Sequence, residues 1–405
     1  MGSGMQNLLT VLDVGSAKTV VLVAESQDGT VRYRGHGVVE SRGTRKGAIV
    51  DLEKASQAIH KAVVEAEKAA DATIEHAVVT VGGPLMRGIS SRGGVNLGGR
   101  PREINRDDVR EAISQARRVV LPADRELLHL LPQEYILDGQ SSIRDPLGMT
   151  GTRLEVSIHM VTAGATVTQN VVTAANRAGV QVDDTVFEGL SAAEGLLRAD
   201  ERELGVCLLD VGAGSTELIV IFEGAVAHTG VIPIGGDHFT NDVAVGLRTP
   251  LMEAEKIKKL FGSAVVTNVP EANEIEVPAV GERPSRLMPQ RLLAEILEPR
   301  ARELFEYVRD NLRQGGVLEA LGAGVVLTGG GSRLPGLAAV AEDMLRCPAR
   351  IGTPAALSKM PALLAEPEFA VAVGCIMYAH RSRVARTGPE ENGIKAKLKQ
   401  LFQIA

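Results

Sequence analysis

The chain has 405 residues, 44% hydrophobic and 23% charged, the balance of a soluble globular protein with room for roughly two to three domains. Its net charge of −6 excludes general nucleic-acid binding, which needs a basic surface. Three widely separated cysteines, Cys207, Cys347 and Cys375, exclude a disulfide framework and a cysteine-rich metal finger; they are expected to be reduced packing residues of a cytoplasmic protein.

In chain order, Met1–Gly4 reads as an appended leader and Met5 as the natural start. The apolar run from Leu8 to Leu12 is too short for a secretory signal, and no stretch reaches the ~18 apolar residues of a spanning helix. That run is predicted to be a strand entering Asp13-Val14-Gly15-Ser16-Ala17-Lys18-Thr19, followed by a strand over Val20 to Ala24 and a turn at Asp28-Gly29. Asp51 to Ala70 has helical spacing, with Ile59, Val63 and Val64 expected on one face. His76 to Val81 is predicted as a strand ending in Gly82-Gly83-Pro84.

The same pattern then recurs. Val206 to Leu209 reads as a strand entering Asp210-Val211-Gly212-Ala213-Gly214-Ser215-Thr216, followed by a strand over Leu218 to Phe222 and a turn at Glu223-Gly224. Both turns are D-x-G-x-x-x-T. Later, Val325 to Thr328 is a predicted strand ending in Gly329-Gly330-Gly331-Ser332. Two related halves, each a sheet with helices, predict an α/β protein with a central cleft.

Paired turns rich in Gly, Ser and Thr expose backbone N–H groups that attract phosphate oxygens, and two of them across a cleft can grip a triphosphate. Asp13 and Asp210 at the strand ends would repel such a ligand unless they hold Mg²⁺ or its waters, while Lys18 offsets phosphate charge. The flat turn Gly329, Gly330, Gly331 and Ser332 suits close packing against a purine or its sugar. A Walker-type loop is absent.

These parts, in this order, resemble the actin, Hsp70 and sugar-kinase superfamily. Leu12 to Thr19 and Leu209 to Thr216 look like its two phosphate loops, and Thr328 to Ser332 like its adenosine motif. Phe187 to Gly195 and Ala370 to Gly374 look like its two connecting helices. The segments Pro146 to Val156, Ile158 to Thr162, Asn176 to Val180 and Leu293 to Arg300 are similar to the FtsA family of bacterial cell-division proteins within it.

The resemblance implies an actin-like two-lobed ATPase fold with an FtsA-type 1C subdomain and a C-terminal amphipathic helix. The implied divisions are 5–83, the inserted 84–162, 163–205, a second lobe over 206–370 with its own insertion at about 240–320, a closing helix over 371–380, a linker over 381–392 and a tail over 393–405. It implies ATP and Mg²⁺ as cofactors, with contacts from Gly15, Ser16, Ala17, Lys18, Gly212, Ala213, Gly214, Ser215, Thr216, Gly235, Gly236 and Gly329 to Ser332. Glu255 and Lys258 would meet the ribose and base, Asp13 and Asp210 the metal, and Glu188 the attacking water, with Asp210 the second catalytic acid. The superfamily more often has a third glycine and a threonine where this chain has Ala213 and Ser215, which implies a weak ATPase at most and a structural adaptor first.

The tail repeats apolar residues at Ile394, Leu398, Leu401, Phe402 and Ile404 beside Lys395, Lys397 and Lys399, as an in-plane helix on an anionic bilayer would. The resemblance further implies self-assembly into filaments, a place on the cytoplasmic face of the cell membrane at the division site, and partners among other division proteins. Chief among these is the C-terminal tail of the ring protein FtsZ, met near Arg300. A pilus-assembly actin homologue and a soluble small-molecule kinase are the alternatives on the same fold.

Overall fold

The computed structural model describes residues 7–387, apart from 28 and 282. Two five-stranded sheets carry most of the chain. The first runs Gln181–Phe187, His76–Val81, Leu8–Val14, Lys18–Gln27, Thr30–Glu40, and the second Ala225–Ile232, Thr216–Phe222, Val206–Val211, Gly324–Thr328, Ala349–Ile351. Read from its other end, the second repeats the first strand for strand. In each, the central strand pairs antiparallel with its hairpin partner and parallel with the strand that ends in glycines. The duplication in sequence is therefore a duplication in topology.

The central strands are mostly apolar up to Asp13 and Asp210, because both faces are covered. Val11, Leu12, Leu208 and Leu209 are all buried. The helix Leu52–Ala70 covers one face of the first sheet; the Asp51 carboxylate caps it by accepting the Lys54 N–H. Its buried stripe is Ala55, Ile59, Ala62, Val63 and Ala66. Val64, expected on that stripe, is 47% exposed, since neighbours in a helix point about 100° apart.

Between His76–Val81 and the rest of the first lobe sits a separate four-stranded antiparallel sheet, ordered Gln140–Ile143, Arg125–Leu137, Arg153–Gly164, Arg87–Asn96. The helix Arg106–Ala116 packs its Val109, Ala112 and Ile113 into the core of this subdomain. Two helices, Glu188–Leu196 and Ala370–Thr387, join the lobes and pack on each other, with Gly195 against Gly374.

The closing helix corrects an expected boundary. The sequence predicts a linker from Arg381, yet Ala370–Thr387 is one helix. Two arginines there are bound to neighbours: Arg381 pairs with Glu194 at 2.9 Å, and Arg383 donates to the Leu8 carbonyl at 3.1 Å. The expected tail helix, with Ile394, Leu398, Leu401 and Phe402, lies outside the described residues. Among the described residues no helix is long and apolar enough to cross a membrane.

Candidate functional site

The two matched turns meet where the lobes meet. Residues 15–17 join Leu8–Val14 to Lys18–Gln27, and 212–215 join Val206–Val211 to Thr216–Phe222. Each closes by the same bond: Gly15 N–H donates to the Lys18 carbonyl at 3.1 Å, and Gly212 N–H to the Ser215 carbonyl at 3.0 Å. A Cβ on Gly214 would lie 2.5 Å from Lys46 Cα and 3.0 Å from Ser16 Oγ, so only glycine lets the turns approach this closely. Ser16 Oγ itself accepts the Gly47 N–H at 2.7 Å.

Behind the second turn, Gly236 N–H donates to the Gly212 carbonyl and Asp237 N–H to the Ala213 carbonyl, both at 2.9 Å. Gly235 and Gly236 thus open the helix Gly236–Leu247 against the turn. The next helix, Leu251–Phe261, brings Lys258 Nζ to the Gly236 carbonyl at 3.0 Å, to Thr240 Oγ1 at 2.7 Å and to Glu255 at 2.6 Å.

The third glycine turn closes the arc. Gly329 has φ +79°, and a Cβ there would sit 2.1 Å from Asp210 Oδ1, so glycine is required by both conformation and space. Gly329 N–H donates to the Pro367 carbonyl at 3.2 Å. One residue on, Glu368 pairs with Lys18 at 3.0 Å and with Arg333 at 3.3 Å, tying this turn to the first. Lys18 Nζ also lies over the Phe369 ring, 3.9 Å from its centre. Two predicted ligand contacts are spent inside the protein: Thr216 Oγ1 donates to the Ile234 carbonyl, and Ser332 Oγ to the Gly329 carbonyl, each at 2.7 Å.

The floor of the cleft is acidic. Asp13 is buried and accepts the Thr80 hydroxyl at 2.8 Å. Glu217 is buried and accepts the Gly83 N–H at 2.6 Å, while its other oxygen has no partner. Burial pushes Asp210 up to about 7, with Asp13 adding to the rise and Lys18 opposing it. Burial pushes Glu217 up to about 8, against the Gly83 bond and with help from Asp210. Glu188 is held well above the carboxylate range by burial and then by Glu217, Asp13 and Asp210, and Asp13 is raised by burial against Thr80 and Lys18.

Crowded carboxyl groups with an orphaned oxygen among them are a donor set suited to a hard cation. Among the described residues no three His, Cys, Asp or Glu side chains form a metal site by themselves. The residues fit Mg²⁺ in its usual manner, one or two carboxylates with water and phosphate completing the shell.

The fold therefore brings together Asp13, the first turn, Lys18, Glu188, Asp210, the second turn, Gly235, Gly236, Glu255, Lys258 and Gly329 to Ser332. Sequence reasoning misses Glu217 and Glu368. The signal for Glu217 is an acid directly after Thr216, heading an otherwise apolar strand over Leu218 to Phe222. Arg300 lies apart, on the helix Gln290–Gln314. The sequence expects Arg300 and Arg302 to be free at a surface; instead Arg300 forks onto Asp242 at 2.6 and 3.0 Å and also meets Glu303, and Arg302 pairs with Glu298 and Asp343. Glu303 and Glu298 lie within helical reach of the two arginines, whereas Asp242 and Asp343 are brought to them from neighbouring helices by the tertiary fold.

Duplicated sheets, paired connecting helices and a glycine-lined acidic cleft define a protein of the actin-like ATPase fold. Solved structures with this fold include a PilM-PilN type IV pilus biogenesis complex (TM-score 0.66, 18% identity, covering 92% of this chain and 98% of that one). Another is MreB5 of Spiroplasma citri bound to ADP (TM-score 0.54, 15% identity, covering 94% and 99%). Within that fold the chain belongs to the FtsA family of bacterial cell-division proteins. The family profile for cell division protein FtsA matches residues 207–374, and that for the SHS2 domain inserted in FtsA matches 83–162. Cell division protein FtsA of Pseudomonas aeruginosa is 40% identical over 92% of this chain and 89% of its own length. That of Escherichia coli is 35% identical over 97% and 95%, and that of Bacillus subtilis 34% over 98% and 89%.

Proposed function

We propose that this cell-division protein binds ATP with Mg²⁺ between its lobes, assembles with its own copies on the cytoplasmic face of the membrane, and holds the FtsZ ring there. The observation that carries the reading is the meeting of the two matched turns, with Gly214 against Ser16 and Lys46, above four clustered carboxyl groups. The backbone N–H groups of both turns bind the phosphates. Lys18, already positioned between Asp13, Asp210 and Glu368, neutralises part of their charge. Asp13 and Asp210 would hold the cation, which supplies further neutralisation when bound. Glu188 orients water toward the terminal phosphate.

Neighbouring subunits add their weak tail affinities, so that a filament stays on a bilayer that a single tail would leave. The amphipathic spacing of Ile394 to Ile404 and the membership of the FtsA family support this part of the reading. The test is co-sedimentation with anionic vesicles, with and without Mg-ATP. Pelleting should require vesicles, steepen with protein concentration and strengthen with nucleotide. Pelleting indifferent to both would overturn the proposal.

A further inference from the structure

Among the described residues the strand Gln181–Phe187 is an edge of the first sheet, paired with His76–Val81 alone. Its last residue caps the helix Glu188–Leu196, and no side chain of its own element bonds that cap. The outward N–H of Phe187 is instead taken by His129 Nε2, at 2.9 Å in a buried site. A ring nitrogen that accepts carries no proton, so His129 is neutral with its proton on Nδ1. Burial agrees, lowering the imidazole to about 4. The Tyr378 ring of the closing helix meets the His129 ring edge-on at 6.3 Å and fixes its plane.

His129 belongs to the inserted subdomain, on the strand Arg125–Leu137. Four residues further, Gln133 Nε2 donates to the Val226 and Ala227 carbonyls of the second lobe, at 2.9 and 3.3 Å. On the adjacent strand His159 Nε2 bonds Thr229 Oγ1 at 2.9 Å. One rigid sheet thus grips the second lobe and the peptide unit that leads directly into Glu188.

We propose that His129 is a positioning residue of the nucleotide site: by holding the Phe187 N–H it sets the strand-to-helix turn that aims the Glu188 carboxyl, so the inserted subdomain governs hydrolysis. The inference rests on the reading that Glu188 orients water. A displaced helix start would misplace that carboxyl while the glycine turns that bind phosphate stay put.

The test uses the full chain and a double-mutant cycle. His129→Leu should slow phosphate release roughly ten- to a hundredfold with the Mg-ATP thermal shift retained. His129→Gln, which keeps a buried acceptor, should restore most of the rate, and in a Glu188→Ala background His129→Leu should add nothing. Equal losses in both backgrounds would show a merely structural role. If Glu188→Ala alone releases phosphate normally, the reading of Glu188 falls. Amide exchange then judges His129 separately: faster exchange confined to 187–190 in His129→Leu supports the positioning contact, and unchanged exchange overturns it. Should His129→Leu fail to fold, His129→Gln carries the test, and a loss as large as that of Glu188→Ala overturns the proposal.

Discussion

Glu217 of the second lobe accepts the backbone N–H of Gly83 in the first, at 2.6 Å, a hydrogen bond that spans the cleft between residues 134 apart in sequence. The bond joins the strand after one of the matched turns to the glycine pair that follows the strand His76–Val81 of the opposite lobe. It links the lobes through a carboxyl group that burial keeps reluctant to ionise.

A pH dependence follows. Glu217 rises from 4.5 to about 8 on folding and Asp210 from 3.8 to about 7. A group whose folded pKa is raised contributes stability that is present below its unfolded pKa and is lost as pH rises through the folded value. In nucleotide-free protein, Glu217→Gln should therefore be no more stable than the parent near pH 4 and progressively more stable toward pH 8. Paired thermal melts across that range check the sign; a constant difference would show that Glu217 ionises normally.

Nucleotide and hydrolysis should separate by residue. Mg-ATP should raise the melting temperature, because a ligand bound only by the folded state stabilises it, by about 2.7 kcal/mol at a hundredfold excess over Kd. Gly214→Val and Gly329→Val should abolish the rise, since their side chains would strike Lys46 and Asp210. Glu188→Ala should keep the rise and lose roughly 10²- to 10⁴-fold in phosphate release, the usual worth of an acid or base group. Asp210→Ala should weaken the dependence on Mg²⁺ as well.

At the proposed ring-partner surface, Arg300 is already held by Asp242. Arg300→Glu should weaken binding of an acidic FtsZ tail peptide and, by facing Asp242, lower stability modestly. Asp242→Asn leaves the guanidinium in place with a weaker competitor, so it should strengthen peptide binding two- to several-fold, on the order of a surface ion pair. Peptide titrations against both variants decide: unchanged affinity in each removes Arg300 from the site.

For the tail, deleting residues 392–405 should abolish pelleting with anionic vesicles and leave the Mg-ATP shift intact. Phe402→Glu should come close to the deletion, because it places a charge where burial is costly. Replacing Lys395, Lys397 and Lys399 with Gln should weaken binding only in part, at about 1 kcal/mol per lysine, and high salt should mimic it. A truncated chain that still pellets with vesicles would move the anchor elsewhere.

Local spacing alone determined the doubled turn, the glycine-ended strands, the helix over 51–70 and hence two related α/β halves around a cleft, while the family resemblance supplied the actin-like fold. Those features depend on neighbours a few residues apart, where glycine, acid and apolar period carry the information directly. Tertiary structure decided the rest, because the partners are distant in sequence. Glu217 becomes a cleft residue only when the second sheet meets Gly83, and Lys18 finds Glu368 only when the chain returns after some 350 residues. Likewise Arg381 and Arg383, which read as linker, are helical because Glu194 and the Leu8 carbonyl wait beside them. A charged residue in a sequence announces only that it needs a partner; whether water, a ligand or the protein supplies one is settled by which surfaces the fold brings together.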